Sequence, residues 1–231
     1  MNFENKLISG LLIKRYKRFF VDLKIKDQII TAHCPNTGSM HGLLKTGNKV
    51  WVSKSNNPNR KLKYTLEIIE DNNVKVGVNT HSANKIVKHA LQNNLIRELK
   101  DIIDIKPETK FGLKTRFDFL VLGKKDKFFI EVKNVTLSRK KKLAEFPDAI
   151  TLRGLKHINE LIKASKKKFK IYLLYLIQRN DCDSFTIAKD IDPMYAKTLV
   201  KAVKNKLNIL CYDCKFSSKG IKLNNKIKLI L

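Results

Sequence analysis

The chain of 231 residues carries 48 lysine and arginine residues but only 21 aspartate and glutamate residues, which gives a formal net charge of +27. Its hydrophobic fraction of 43% is that of a folded protein, and no apolar run reaches the length of a membrane span. These values exclude a disordered chain and an integral membrane protein. They favour a polyanionic partner, which we expect to be nucleic acid, with an anionic membrane surface as the alternative.

Two kinds of extracellular signal are missing from the sequence. The apolar residues 7–13 are followed by a basic run, whereas a secretory signal ends in a small-residue cleavage site, so we expect a cytoplasmic protein. The cysteines show no disulfide pattern, and Cys211 and Cys214 form one CxxC motif without the second pair of a zinc ribbon. Free thiols are therefore expected rather than a zinc site.

Residues 1–80 are the predicted first domain, because short runs of strand composition alternate there with turn residues. The runs are residues 11–13, 19–25, 28–34, 49–53 and 64–69. Five strands in so short a segment favour an OB-like β-barrel, a fold that often binds single-stranded nucleic acid.

Basic and aromatic side chains alternate along the first strand and the turn after it. Basic groups contact phosphates and rings stack on bases, so Arg15, Lys17 and Arg18 are predicted to bind DNA. The alternative is that Phe19 and Val21 belong to the core and that the basic groups are merely solvated.

Residues 81–231 are the predicted second domain, in which helical and strand patterns follow each other. A helix is expected from Thr80 or Ser82 to about Leu99, because apolar residues recur there at helical spacing. Further elements are expected at residues 108–113 (strand), 152–165 (helix), 169–177 (central strand), 192 onward (helix), 207–212 (strand) and 226–231 (strand). In the last helix, Asp192 is the predicted N-cap, and Ala196, Leu199, Val200 and Val203 are expected to face inward.

A β-hairpin is predicted between the first two of these helices. If Leu122 pairs with Lys127 across a four-residue loop, Asp118 lies opposite Glu131. Because side chains on a strand alternate between its faces, Lys133 shares the face of Glu131. Two carboxylates and an ammonium group then converge beside a hydrophobic sheet.

This arrangement suits divalent-metal chemistry, because two adjacent carboxylates repel each other and Mg²⁺ or Mn²⁺ relieves that repulsion. The spacing of Asp118, Glu131 and Lys133, within a helix–strand–strand–strand–helix–strand order, resembles the core of the PD-(D/E)XK nuclease superfamily. That resemblance implies that Asp118 and Glu131 bind the metal and that Lys133 positions water or stabilises developing charge. Glu108 is the predicted third catalytic carboxylate and metal ligand, with Glu98 as the alternative.

Further basic residues around the hairpin are predicted to bind DNA. They are Arg116, Lys140, Arg153 and His157. Arg153 is favoured by its charge, whereas an exposed helix position without a DNA contact is an equal alternative for His157. Asp148 is expected to act as a helix N-cap rather than as a metal ligand.

The whole chain resembles the sugar fermentation stimulation protein A family. The resemblance is carried by residues 15–19, 33–40, 79–80, 116–119, 131–133, 146–149 and 153–154, together with Glu108, Gly112 and His157. It implies an α/β (α+β) protein, with an N-terminal OB-like barrel, a PD-(D/E)XK nuclease-like C-terminal domain and DNA binding.

Two functions remain open from the sequence. One is a metal-dependent DNA phosphodiesterase of low sequence specificity, acting on single- or double-stranded DNA. The other is a non-enzymatic DNA-binding regulator of sugar (maltose) metabolism that keeps the nuclease scaffold. RNA as the nucleic acid is a further alternative.

Overall fold

The computed structural model describes residues 1–113 and 115–230. Within these residues the strands are β1 (Ile8–Tyr16), β2 (Phe20–Ile25), β3 (Gln28–His33), β4 (Lys49–Lys54), β5 (Tyr64–Asp71), β6 (Val74–Gly77), β7 (Ile102–Phe111), β8 (Thr115–Gly123), β9 (Lys127–Val135), β10 (Leu137–Lys140), β11 (Leu143–Phe146), β12 (Lys170–Ile177), β13 (Ser184–Ile187), β14 (Leu207–Phe216), β15 (Ile221–Lys226) and β16 (Lys228–Ile230). The helices are α1 (Thr80–Gln92), α2 (Leu152–Lys166) and α3 (Pro193–Lys204).

The first six strands form the predicted OB-type barrel. Their order is β3-β2-β1-β4-β5-β6, and a parallel pairing of His33 with Thr65 closes β3 onto β5. The sequence prediction missed β6, which pairs with β5 after a tight turn at Asn72 and Asn73, both with positive φ. Aliphatic side chains such as Val21 fill the barrel.

The second domain is a mixed sheet with helices on both faces. The strand order is β15-β14-β12-β9-β8-β7, in which β12 runs parallel to β9 and β14. The apolar run of β12 is buried on both sides, as expected for a central strand. α1 packs on one face, and α2 and α3 pack on the other. The predicted succession α1-β7-β8-β9-α2-β12 is confirmed, with β10 and β11 inserted before α2.

Two of the predicted helices differ in detail. α1 begins after Asn79, whose side chain accepts from the His81 N–H, and it ends at Gln92 instead of Leu99. Asn94 then adopts a positive φ of 52°, which cannot continue a helix.

α3 has the predicted N-cap Asp192, but Val200 and Val203 are 51% and 39% exposed instead of inward. Tyr195 fixes the rotation of α3, because its hydroxyl bonds to that of Tyr175 in the core.

Four short strands, β10, β11, β13 and β16, form a further sheet that the sequence did not reveal. The predicted strand at residues 226–231 falls on the end of β15 and on β16, and residue 231 lies outside the described residues. All four cysteines are free thiols, as predicted, and all four are buried. Among the described helices, none has both the length and the apolar character needed to cross a membrane.

Candidate functional site

The hairpin of β8 and β9 has the predicted register. Leu122 pairs with Lys127, and the ladder continues to the pair Phe119–Ile130. There the regular pairing ends, and the Val132 N–H instead donates to Oδ2 of Asp118 at 2.7 Å. The Asp118 carboxylate is therefore held at the point where the two strands separate.

Asp118 is bound by neutral donors. Its Oδ1 accepts from Nδ2 of Asn84 on α1 at 2.7 Å, in addition to the Val132 bond. Burial and, next, the charge of Glu131 raise the pKa of Asp118 to about 6, although these two hydrogen bonds and the charge of Lys133 act in the opposite direction. An ionised Asp118 is thus costly without a nearby cation.

Glu131 contacts one residue of its own strand, Lys133, and one residue of α2, the helix on the sheet face opposite α1. Its Oε1 accepts from Lys133 Nζ at 2.7 Å and contacts Nδ1 of His157 on α2. Burial favours a higher pKa for Glu131, but the charge of Lys133 and the hydrogen bond from His157 outweigh burial and lower the pKa. Glu131 is only 3% exposed, and its Oε2 has no hydrogen-bond partner among the described residues.

We call the opening above Asp118 and Glu131 the acidic cleft. Its volume is about 520 Å³. The second domain contributes Asp118, Glu131 and Lys133 to its lining, and the barrel contributes residues 36–38. Both domains therefore build the cleft.

Arg15 holds the barrel's contribution to the acidic cleft in place. Its guanidinium group donates to the carbonyl oxygens of Asn36 at 2.6 Å, Gly38 at 3.0 Å and Arg18 at 2.9 Å. Both terminal nitrogens of Arg15 therefore donate to this loop, and a DNA contact of Arg15 stays a prediction.

Asp148 joins the two domains. Its Oδ2 accepts from the Met40 N–H at 3.0 Å, and its carbonyl oxygen accepts from Ser39 Oγ at 2.7 Å. A Cβ atom on Gly38 would lie 2.5 Å from the Asp148 carboxylate, so glycine permits this approach. The expectation that Asp148 is a helix N-cap is wrong, because Thr151 caps α2.

The other residues predicted to bind DNA lie in different surroundings. Arg153 is exposed on the first turn of α2 and lines the acidic cleft. Lys17, Arg18 and Lys140 are exposed but do not line it. His157 is 7% exposed, which corrects the alternative of an exposed position, since the ring is packed against Glu131. Their DNA contacts stay predictions.

The predicted third carboxylate, Glu108, is more exposed than Asp118 and Glu131. Glu108 lines the acidic cleft, is exposed, and pairs with Arg116 at 3.4 Å. Glu98 lies elsewhere, where it accepts from the Tyr212 hydroxyl and pairs with Lys226. Within residues 1–113 and 115–230, no three His, Cys, Asp or Glu side chains are grouped closely enough to hold a metal. The role of Glu108 as a ligand stays a prediction.

Sequence reasoning missed Asn84 as a site residue and misplaced His157. Asn84 is a polar residue beside the buried stripe of α1, which includes Ala83 and Val87. His157 likewise interrupts the buried stripe of α2. A polar residue within or beside the apolar face of a helix is the sequence signal that could have identified both residues.

The fold and the cleft define a two-domain protein, in which an OB-type barrel and an α/β domain share one acidic cleft. The family described as "Sugar fermentation stimulation protein RE domain" matches residues 81–220, and the "SfsA N-terminal OB domain" matches residues 13–78. The chain belongs to the sugar fermentation stimulation protein family.

Relatives and a solved structure agree with this assignment. A sugar fermentation stimulation protein homolog from Pelagibacter ubique is 58% identical, with 100% of this chain and 99% of the relative covered. The homolog from Bartonella henselae is 42% identical, with 99% and 98% covered. The structure of SfsA from Pyrococcus furiosus in complex with Ca²⁺ has the same fold, with a TM-score of 0.91 and 24% identity, covering 100% of this chain and 98% of that one.

Proposed function

We propose that this protein is a divalent-metal-dependent phosphodiesterase that acts on DNA with low sequence specificity in the cytoplasm. The observation that carries the proposal is the buried Glu131 Oε2, which lacks a partner among the described residues and lies beside a second carboxylate with a raised pKa. A buried carboxylate oxygen without a partner is costly, and a cation is a partner that would remove this cost. The Ca²⁺ complex of the P. furiosus protein supports a cation in this family's fold.

The residues of the acidic cleft fit such a cation. Asp118 and Glu131 would bind it through oxygen atoms, which are the ligands that Mg²⁺ and Mn²⁺ prefer, and Glu108 would add a ligand directly or through water. When bound, the cation supplies Lewis-acid chemistry at a phosphodiester oxygen.

The chain's own groups would prepare the reaction. Lys133 Nζ is held by Glu131 at 2.7 Å, so its remaining N–H donors are available to orient a water molecule or to stabilise charge that develops on phosphate. His157 keeps Glu131 in position from α2. Arg153 is exposed and lines the acidic cleft, so it is suited to bind a phosphate group of the substrate.

The test is cleavage of single-stranded, duplex and branched DNA with Mg²⁺ or Mn²⁺, with EDTA as the metal-free control. We expect cleavage by the wild type and its loss in Asp118→Asn and Glu131→Gln, with DNA binding retained. Glu160→Gln is the matched control, because Glu160 is a carboxylate on α2 that pairs with Lys163 away from the cleft lining. Metal-dependent cleavage that survives in both site variants would overturn the proposal.

A second candidate is a non-enzymatic DNA-binding regulator of sugar metabolism. It is favoured by the internal contacts of Glu131 with Lys133 and His157, which are those of a structural ion cluster, and by the lack of a three-ligand group among the described residues. DNA binding without cleavage under every metal condition would support this candidate.

A further inference from the structure

A second cleft lies where the barrel meets the start of α1, and we call it the barrel cleft. Its volume of about 420 Å³ is in the range of ligand-binding pockets. Five basic side chains contribute to its lining: His33, Lys54, Arg60, His81 and Lys85. The chemistry proposed for Asp118 and Glu131 uses none of them.

The barrel cleft also contains Glu67, but this carboxylate is already satisfied. It is 7% exposed and accepts from Ser53 Oγ at 2.7 Å and from Asn79 Nδ2 at 2.8 Å. The accessible charge of the cleft is therefore mainly positive, with Glu4 as its one exposed acidic lining residue. A polyanion is the ligand class that this surface would attract.

An exposed aromatic ring lies next to one of these basic residues, His33. Phe19 is 43% exposed, and its ring stacks on His33 with centroids 6.4 Å apart and an interplanar angle of 24°. Burial lowers the pKa of His33, and the charges of Arg60 and His81 lower it further, which reflects the positive field at this wall. An aromatic ring beside basic groups is how single-strand-binding barrels hold a base and its phosphates.

The barrel cleft and the acidic cleft meet at residues 35 and 36, which we call the ridge. Pro35 lines the barrel cleft and Asn36 lines the acidic cleft. The ridge is fixed to α1, because the Thr80 hydroxyl and N–H donate to the Pro35 carbonyl oxygen at 2.7 and 3.2 Å. The exposed His81 lines both clefts and so connects them.

We propose that the barrel cleft binds an unpaired segment of DNA, with one base stacked on Phe19 and its phosphates held by Arg60 and Lys85. The strand then passes His81 into the acidic cleft. Stacking on Phe19 requires a base whose face is free, so the preferred substrate is single-stranded DNA or duplex DNA with a single-stranded extension. The binding step stands on the barrel cleft itself, and only cleavage of the bound strand rests on the proposed function.

The test is fluorescence anisotropy of one labelled oligonucleotide, free or annealed to its complement, in EDTA so that no cleavage occurs. We expect the wild type to bind the single strand more tightly than the duplex. Phe19→Leu should weaken single-strand binding about fivefold or more and leave duplex binding nearly unchanged.

The charge of the barrel cleft has a matched pair of variants on one helix. Lys85 and Lys88 are both exposed on α1, but only Lys85 lines the cleft. Lys85→Gln should weaken single-strand binding and reduce the salt dependence of log Kd by about one, whereas Lys88→Gln should have a smaller effect. Since both residues are exposed, these variants should fold even if Phe19→Leu does not.

The outcomes separate this inference from the proposed function. Equal or tighter duplex binding, equal effects of the two lysine variants, or tighter binding of RNA of the same sequence would overturn the inference, whatever happens to cleavage. Single-strand binding that depends on Phe19 and Lys85, with no cleavage under any metal condition, would support the inference and overturn the phosphodiesterase.

Discussion

Asp118 and Glu131 both lie just beyond Phe119–Ile130, the last regular pair of one hairpin, yet helices on opposite faces of the sheet contact them. Asp118 receives neutral donors from Asn84 and the main chain, and burial raises its pKa to about 6. Glu131 receives the Lys133 ammonium group, and its pKa is lowered although burial acts in the other direction. The comparison shows that Glu131 has a lysine partner of its own, whereas the hydrogen bonds to Asp118 come from neutral groups.

The largest expected effect comes from breaking the Glu131 side of this pair. Lys133→Met removes the lysine partner that Glu131, a carboxylate only 3% exposed, has among the described residues. Breaking a buried ion pair leaves an uncompensated charge, so we expect a loss of about 3–5 kcal/mol in the free energy of unfolding. Urea denaturation in EDTA at neutral pH measures it.

A surface ion pair in the same sheet provides the control. Lys170 pairs with Asp126 at 2.6 Å, close to the 2.7 Å of Lys133 and Glu131, but its side chain is 52% exposed. Lys170→Met should therefore cost much less stability than Lys133→Met, because water screens an exposed ion pair. Similar losses for the two variants would show that burial of Glu131 does not govern the stability of the pair.

The next effect concerns Asp118, whose ionisation should destabilise the folded protein. Because its folded-state pKa of about 6 exceeds the ordinary 3.8, the folded protein holds this proton more tightly than the unfolded chain. Stability should therefore fall as pH rises from about 4 to about 6, by roughly 2–3 kcal/mol from this group. Asp118→Asn cannot ionise and should lack this fall.

The measurement is urea denaturation of wild type and Asp118→Asn at several pH values in EDTA. The difference between the two proteins should shift in favour of the variant by about 2–3 kcal/mol between pH 4 and pH 7. The shift is independent of any constant cost of placing an amide beside two hydrogen-bond donors. A pH-independent difference would mean that Asp118 titrates normally.

A smaller effect is expected on metal affinity. If a cation binds at Asp118, the proton must leave, so the affinity for Mn²⁺ should rise about tenfold per pH unit below pH 6 and level off above it. Isothermal titration calorimetry at pH 5, 6 and 7 would follow this rise. Tight Mn²⁺ binding at pH 5, equal to that at pH 7, would place the metal away from Asp118.

The sequence predicted the strands that carry Asp118 and Glu131 better than it predicted the helix residues that contact them. Alternation along β9 and a four-residue loop were enough to predict the register from Leu122–Lys127 to Phe119–Ile130, because strand geometry leaves few alternatives. The ladder ends before the expected pair of Asp118 and Glu131. The contacts of Asn84 and His157 could not be predicted, since they depend on how α1 and α2 are rotated against the sheet. Arg15 shows a similar limit: its sequence position fits both a phosphate contact and the loop contacts that it makes.

The smallest expected effect tests whether Asn84 tunes Asp118. Asn84→Ala removes a hydrogen bond to the carboxylate form, so the pKa of Asp118 should rise further above about 6. A net hydrogen-bond contribution of about 1 kcal/mol corresponds to somewhat less than one pH unit in the midpoint of Mn²⁺ binding. Asn93→Ala is the control, because Asn93 lies just after the same helix and donates to the His89 carbonyl oxygen at 2.8 Å. If both variants moved the midpoint equally, the change would come from the helix as a whole, and the Asn84 amide would not be what sets the protonation of Asp118.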